Sequence, residues 1–168
     1  MKDHTRLNAE IGLLKQHFGE DRIYWDSQGR WVMIKEWPLP DGLSKRKSHV
    51  IVLIPGKYGN GDPLRDAFID PDIKAYKPQE KQYEKIPHYF AKYPYAKLIL
   101  GSKEKWQKRG WQYLCIHHCL HQKNGARNRA SIMNYLTDLY KFLAEPFRDW
   151  EKTFSSYEED NERNYTDN

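Results

Sequence analysis

Between Thr5 and Phe18 the apolar residues Leu7, Ile11, Leu14 and Phe18 recur at spacings of three and four, and Gly19 follows directly. That period predicts an amphipathic helix that stops at the glycine. The rhythm then changes. Arg22–Trp25 and Trp31–Trp37 are dense in aromatic and branched side chains, and the polar Asp26-Ser27-Gln28-Gly29 separates them. This pattern predicts a β-hairpin with glycine at the turn position that needs positive φ. Pro38 and Pro40 end the second strand, a polar basic loop runs from Asp41 to Lys47, and His49–Ile54 forms a third, strongly apolar strand. Phe68-Ile69, ahead of Asp70-Pro71, predicts a short fourth strand.

From Ile73 to Trp111 no period dominates; the stretch holds three prolines and ten basic residues against three acidic ones. Most of it reads as solvent-facing loop, with a short helix from Pro78 to Lys85. The helical signal returns at Ser131–Ala144, where Ile132, Tyr135, Leu136, Leu139, Phe142 and Leu143 share one face. Ser131 or Asn128 supplies the cap, and Pro146 lies just past the end. Helix, then consecutive strands forming an antiparallel meander, then a long irregular crossing and a helix is the order of an α+β fold rather than a wound parallel sheet. Residues 1–145 are expected to form one domain. Residues 146–168, with little to bury, are expected to be an acidic, flexible tail.

Charge sharpens that division. The net +5 of the 168 residues conceals a segment from Glu145 to Asn168 with eight acidic and three basic residues, set against 25 basic and 15 acidic in residues 1–144. A basic body rich in Trp and Tyr suits nucleic acid, an acidic protein or an anionic ligand, and composition does not choose among them. The longest apolar runs, residues 50–54 and 98–100, fall far short of the roughly 18 residues of a membrane span. The N-terminal residues carry no secretory apolar stretch, and two cysteines four positions apart do not make a disulfide framework, so the expected compartment is the cytoplasm, with no membrane partner.

Both cysteines, Cys115 and Cys119, fall in Gln112–His121 with His117, His118 and His121. Three readings apply. A thiolate nucleophile would be favoured by neighbouring imidazoles and by Lys108, Arg109 and Lys123. Zinc also takes Cys and His, but in a strand the four alternate residues spread over roughly 20 Å, and in a helix too few converge for a tetrahedral site. The third reading is two small buried cysteines with histidines nearby.

The order of elements, with Val50-Ile51-Val52-Leu53-Ile54-Pro55-Gly56-Lys57-Tyr58 followed by Asp62-Pro63, resembles the third strand and tyrosine-proline loop of ubiquitin-conjugating enzymes. Tyr113-Leu114-Cys115-Ile116-His117-His118 and the later helix resemble that family's catalytic-cysteine segment. The likeness covers about residues 5–145 and is nearest in flavour to divergent bacterial members from ubiquitin-like conjugation and CBASS-type antiviral defence operons, whose endings read like Leu139–Pro146. Two features depart from the family pattern. Its His-Pro-Asn tripeptide is replaced by Ser102-Lys103-Glu104-Lys105-Trp106-Gln107, and the proline after the tyrosine by Gly59-Asn60-Gly61.

The resemblance implies a carrier that accepts an activated protein C-terminus as a thioester on Cys115 and passes it to an acceptor amine. His117, His118, His121 and Asn124 are then candidate supporting residues for the oxyanion or for proton transfer. It implies no metal and no organic cofactor. The implied partners are an activating enzyme with adenylation activity and a ubiquitin-like protein or nucleotidyltransferase substrate. The rival class is a non-catalytic binding module of the same fold that uses its basic 74–111 segment to hold nucleic acid or an acidic protein. A zinc-dependent nuclease lacks both a ligand set and a carboxylate cluster.

Overall fold

A computed structural model describes residues 1–87, 89–90, 111–116 and 131–150. Asp3 opens the first helix, α1 (His4–Phe18): its carboxylate accepts from the Arg6 amide at 2.9 Å, filling a donor that a helix start leaves open. Leu7, Ile11 and Leu14 form the buried stripe, and Gly19 ends the helix at φ +105°. One 3₁₀ turn then leads into an antiparallel meander of β1 (Ile23–Trp25), β2 (Trp31–Pro38), β3 (Lys47–Leu53) and β4 (Asp66–Ile69). The β1–β2 turn lies against α1. Gly29 there has φ +65°, and a Cβ on it would come within 2.7 Å of Leu7 Cδ2, so both backbone angle and close approach require glycine.

In β2 the register slips between Ile34, opposite Val50, and Trp37, opposite Ser48. Lys35 and Glu36 together face His49, a β-bulge with Glu36 at φ +50°. Arg22 holds it: Nε donates to the Lys35 carbonyl at 3.0 Å and Nη2 to the Glu36 carbonyl. The extra residue brings Trp37 round to the same side as Val32 and Ile34, and all three enter the main core.

Residues 74–85 depart from expectation. Instead of a helix over Pro78–Lys85, β5 (Lys74–Lys77) and β6 (Gln82–Lys85) pair as a separate hairpin, Tyr76 opposite Tyr83, around a turn at residues 78–81. Pro78 suits the turn's fixed φ, and the window lacks apolar side chains at helical spacing, so cross-strand aromatic pairing wins. The segment is not wholly loop further on either: β7 (Tyr89–Phe90) pairs with β8 (Gln112–Cys115), and β8 lies beside β4. The main sheet is therefore ordered β1-β2-β3-β4-β8-β7, antiparallel throughout.

The second helix, α2 (Ile132–Ala144), begins at Ser131, whose hydroxyl accepts from the Asn134 amide at 3.1 Å. The six apolar residues of its predicted face are all buried. They join α1 and one face of the sheet in a single core that includes Val50, Val52, Ala67, Ile69 and Leu114. At about 1.5–3 kcal/mol for each large side chain removed from water, this face is the main stabilising contribution of α2. The opposite sheet face is apolar too, with Trp31, Met33, Ile51, Phe68 and Tyr113 buried together. Past α2, Trp150 folds back: its indole N–H donates to the Glu145 carbonyl at 2.9 Å and its ring lies 6.2 Å from Phe142. Packed residues thus reach Trp150, beyond the boundary expected at 145, and residues 151–168 lie outside the described chain. The architecture is α+β, with an N-terminal helix, an antiparallel sheet of several strands and a C-terminal helix, and no helix among the described residues is long and apolar enough to cross a membrane.

Candidate active site

Cys115 is the last residue of β8, directly opposite Asp66, the first residue of β4. Its backbone is fixed from both sides in sequence. Leu114 before it is fully buried, Ile116 after it is buried, and both belong to the main core. The Ile116 amide donates to the Arg65 carbonyl at 2.9 Å, which carries the β4–β8 ladder one step beyond the cysteine. Alternation of period two places Leu114 and Ile116 on the core side, so their burial sets the register of the cysteine between them.

The sheet end occupied by Cys115 is also where the loop over residues 55–65 feeds into β4. That loop is tied to α1. Tyr58 is buried and its hydroxyl donates to Glu10 Oε2 at 2.7 Å, while its carbonyl accepts from the Asp3 amide at 3.0 Å. The Arg6 guanidinium lies 5.2 Å from the Tyr58 ring centroid and bonds Glu10 Oε1 at 2.9 Å. Burial, reinforced by the Glu10 carboxylate, pushes the Tyr58 phenol well above its ordinary range and keeps it a neutral donor. Gly59 follows at φ +83°, where a Cβ would meet Asp3 Cβ at 2.8 Å. Glu10 Oε2 also accepts from the Ile132 amide at 2.9 Å, so one carboxylate joins α1, the loop and the start of α2.

Around the same sheet end, Arg30, Leu53, Ile54, Pro55, Pro63, Arg65 and Asp66 line an open cavity of about 250 Å³. Arg30 is held by Asp26 through a two-pronged ion pair, Nε to Oδ2 at 2.8 Å and Nη2 to Oδ1 at 3.0 Å. The hydrogen bonds from the Arg30 guanidinium hold the Asp26 carboxyl below its ordinary value. Asp66 accepts from the Tyr113 hydroxyl, and the Tyr113 ring packs against Phe68 at 5.5 Å. The result is an open recess of mixed lining, with Arg30, Arg65 and Asp66 set among Leu53, Ile54, Pro55 and Pro63.

Of the residues singled out in the sequence, the structure describes the backbone of Cys115. His117, His118, Cys119, His121 and Asn124 lie outside the described residues, as does the stretch 102–107. Among the described residues no three His, Cys, Asp or Glu side chains are grouped as metal ligands. The sequence reading passed over Asp66, Arg65 and Glu10. Glu10 had one legible signal, its pairing with Arg6 at helical spacing, but that pattern also describes an ordinary solvated helix face. Asp66 had none, because its relation to Cys115 exists only once β4 and β8 pair. Comparisons with protein-family models, with curated proteins and with solved structures return no match.

Proposed function

We propose that this protein is a ubiquitin-conjugating-enzyme-like carrier, a cysteine acyltransferase that holds an activated protein C-terminus as a thioester on Cys115. The observation that carries the reading is the pairing of Cys115 with Asp66. It sets the cysteine that the sequence motif singles out at the sheet end where the tyrosine-proline loop enters β4. In the first transfer the Cys115 thiolate attacks the thioester of an activating enzyme, forming a new C–S bond as the donor thiolate leaves. In the second, an acceptor amine, a lysine in the simplest case, attacks the carbonyl carbon; an amide forms as the C–S bond breaks, and the proton the amine loses passes through solvent to the departing Cys115 sulfur. A thioester suits this role because it reacts with amines far more readily than an oxyester does.

Within this reading Asp66 attracts the ammonium of the incoming lysine, and the Arg30–Arg65 recess attracts anionic groups of the delivered chain. His117, His118, His121 and Asn124 are the candidates for stabilising the oxyanion. The setting would be bacterial antiviral defence, in the cytoplasm, with an adenylating partner that supplies the activated chain.

The test is direct. The full chain, incubated with the activating enzyme and ubiquitin-like protein of its own operon and ATP, should form an adduct that thiol reagents cleave. Cys115→Ala should abolish it, and Cys115→Ser should convert it to a thiol-resistant oxyester. An adduct that persists in Cys115→Ala but disappears in Cys119→Ala would refute the assignment.

A further inference from the structure

The β5–β6 hairpin exposes a pair of like charges that stability does not explain. Lys74 lies directly opposite Lys85, and the next pair on the same face is Tyr76 opposite Tyr83. All four are exposed, the tyrosines at 42% and 50%. Like charges facing each other across strands are destabilising, and the tyrosine pair beside them, though it steadies the hairpin, keeps about half of its surface in water. The rings touch at a tilt, with centroids 5.4 Å apart and planes at 66°, which leaves ring surface open to solvent.

The hairpin's acidic residues do not relieve this face. Glu80 and Glu84 are engaged by Lys77, at 2.5 and 3.4 Å, and Lys77 also sits over the Phe147 ring. Ala75, buried between the exposed positions, bridges to Leu43; the Tyr76 amide donates to the Gly42 carbonyl and the Ser44 amide to the Lys74 carbonyl, each at 2.8 Å. One face of the hairpin is thus fastened to the body. Lys74, Lys81 and Lys85 have no carboxylate partner among the described residues.

We infer that this outer face binds single-stranded nucleic acid, phosphates between Lys74 and Lys85 and a base on the Tyr76–Tyr83 rings. A phosphate placed between the two ammonium groups turns their repulsion into attraction, and an unpaired base offers a flat π-face of the kind an exposed tyrosine stacks on. An acidic peptide would satisfy the lysines and leave the rings without a partner. A duplex keeps its base faces stacked inside the helix and out of reach of the rings. The inference does not rest on the thioester reading and uses no residue of the Cys115 site.

The experiment is fluorescence anisotropy of the full chain with labelled oligothymidylate of about fifteen nucleotides, against a duplex of the same length and polyglutamate, over a range of salt. The single strand should bind most tightly. With two or three phosphates engaged, log K should fall with log salt at a slope of roughly −1.4 to −2.1. Lys74→Gln with Lys85→Gln should flatten that slope by about 0.7 for each phosphate the two lysines neutralise. Tyr76→Ala with Tyr83→Ala should weaken binding by about tenfold or more at unchanged slope. Since all four side chains are exposed, circular dichroism should show the variants folded, and the Cys115 adduct should form as before. No binding at about 50 mM salt, variants that bind like the parent, or tighter binding of duplex or polyglutamate would overturn the inference.

Discussion

Replacing Glu10 with alanine tests the claim that one carboxylate fastens both helices to the loop leading into the candidate site. The substitution removes acceptors from the Tyr58 hydroxyl at 2.7 Å, the Ile132 amide at 2.9 Å and Arg6 Nε at 2.9 Å. Tyr58 is 1% exposed, so its hydroxyl has little access to water as a substitute. Orphaning a buried donor costs about 1–3 kcal/mol, and two are orphaned here. Loss of the partly exposed Arg6 pair and of a negative charge at the start of α2 adds about 0.5–1.5 kcal/mol in total. The expected destabilisation is about 2.5–7.5 kcal/mol, a fall in Tm of roughly 5–30 °C for a chain of this size. Urea unfolding followed by far-UV circular dichroism reads it. A double-mutant cycle with Tyr58→Phe should return a coupling of about 1–2 kcal/mol, whereas Glu10→Gln should fall between parent and Glu10→Ala. A Glu10→Ala variant within about 0.5 kcal/mol of the parent, or zero coupling to Tyr58, would refute the reasoning.

Alkaline pH probes the same phenol from another side. Its folded-state pKa is raised by burial and then by Glu10, while in the unfolded chain it ionises near pH 10, so the unfolded state holds fewer protons above that pH. This contribution is whole below pH 10 and lost as pH rises further, by up to about 1.4 kcal/mol per unit, and denaturation of Tyr58→Phe should lack that component. Asp26 behaves in the opposite sense: its carboxyl is depressed chiefly by the Arg30 side chain, so its share of stability is present above its unfolded pKa near 4 and lost as pH falls, a difference that Arg30→Gln should reduce, the backbone amide of residue 30 remaining as a donor. Gly29→Ala combines positive φ with a Cβ placed 2.7 Å from Leu7, and should cost about 1–3 kcal/mol in thermal unfolding; a neutral result would mean that the turn is not pressed against α1. Ser131→Ala should lower stability by about 1 kcal/mol through the lost bond to the Asn134 amide, and Ser131→Asp should restore it.

Both helices and the first four strands were legible along the chain because each buries a periodic apolar face, and burial is what periodicity reports. Leu7, Ile11 and Leu14 predict α1, Ile132 to Leu143 predict α2, and all lie in one core. The 74–85 hairpin was not legible, because its stabilising elements are a cross-strand tyrosine pair and backbone bonds to residues 42–44, neither of which leaves a period. The β2 bulge hid for a related reason: Ile34 and Trp37 are three apart yet face the same side only because Lys35 and Glu36 together oppose one residue of β3. Of the candidate site, the sequence singled out Cys115 by its neighbours, Leu114 and Ile116 included. Asp66, 49 positions earlier in the chain, was invisible until strand register paired the two. The amino-acid order thus determined which segments are helix or strand and which cysteine draws attention, since these depend on local pattern. Tertiary structure alone decided what stands opposite that cysteine and how Glu10 joins three elements, because contacts between distant residues are set by register and packing rather than by any repeating spacing.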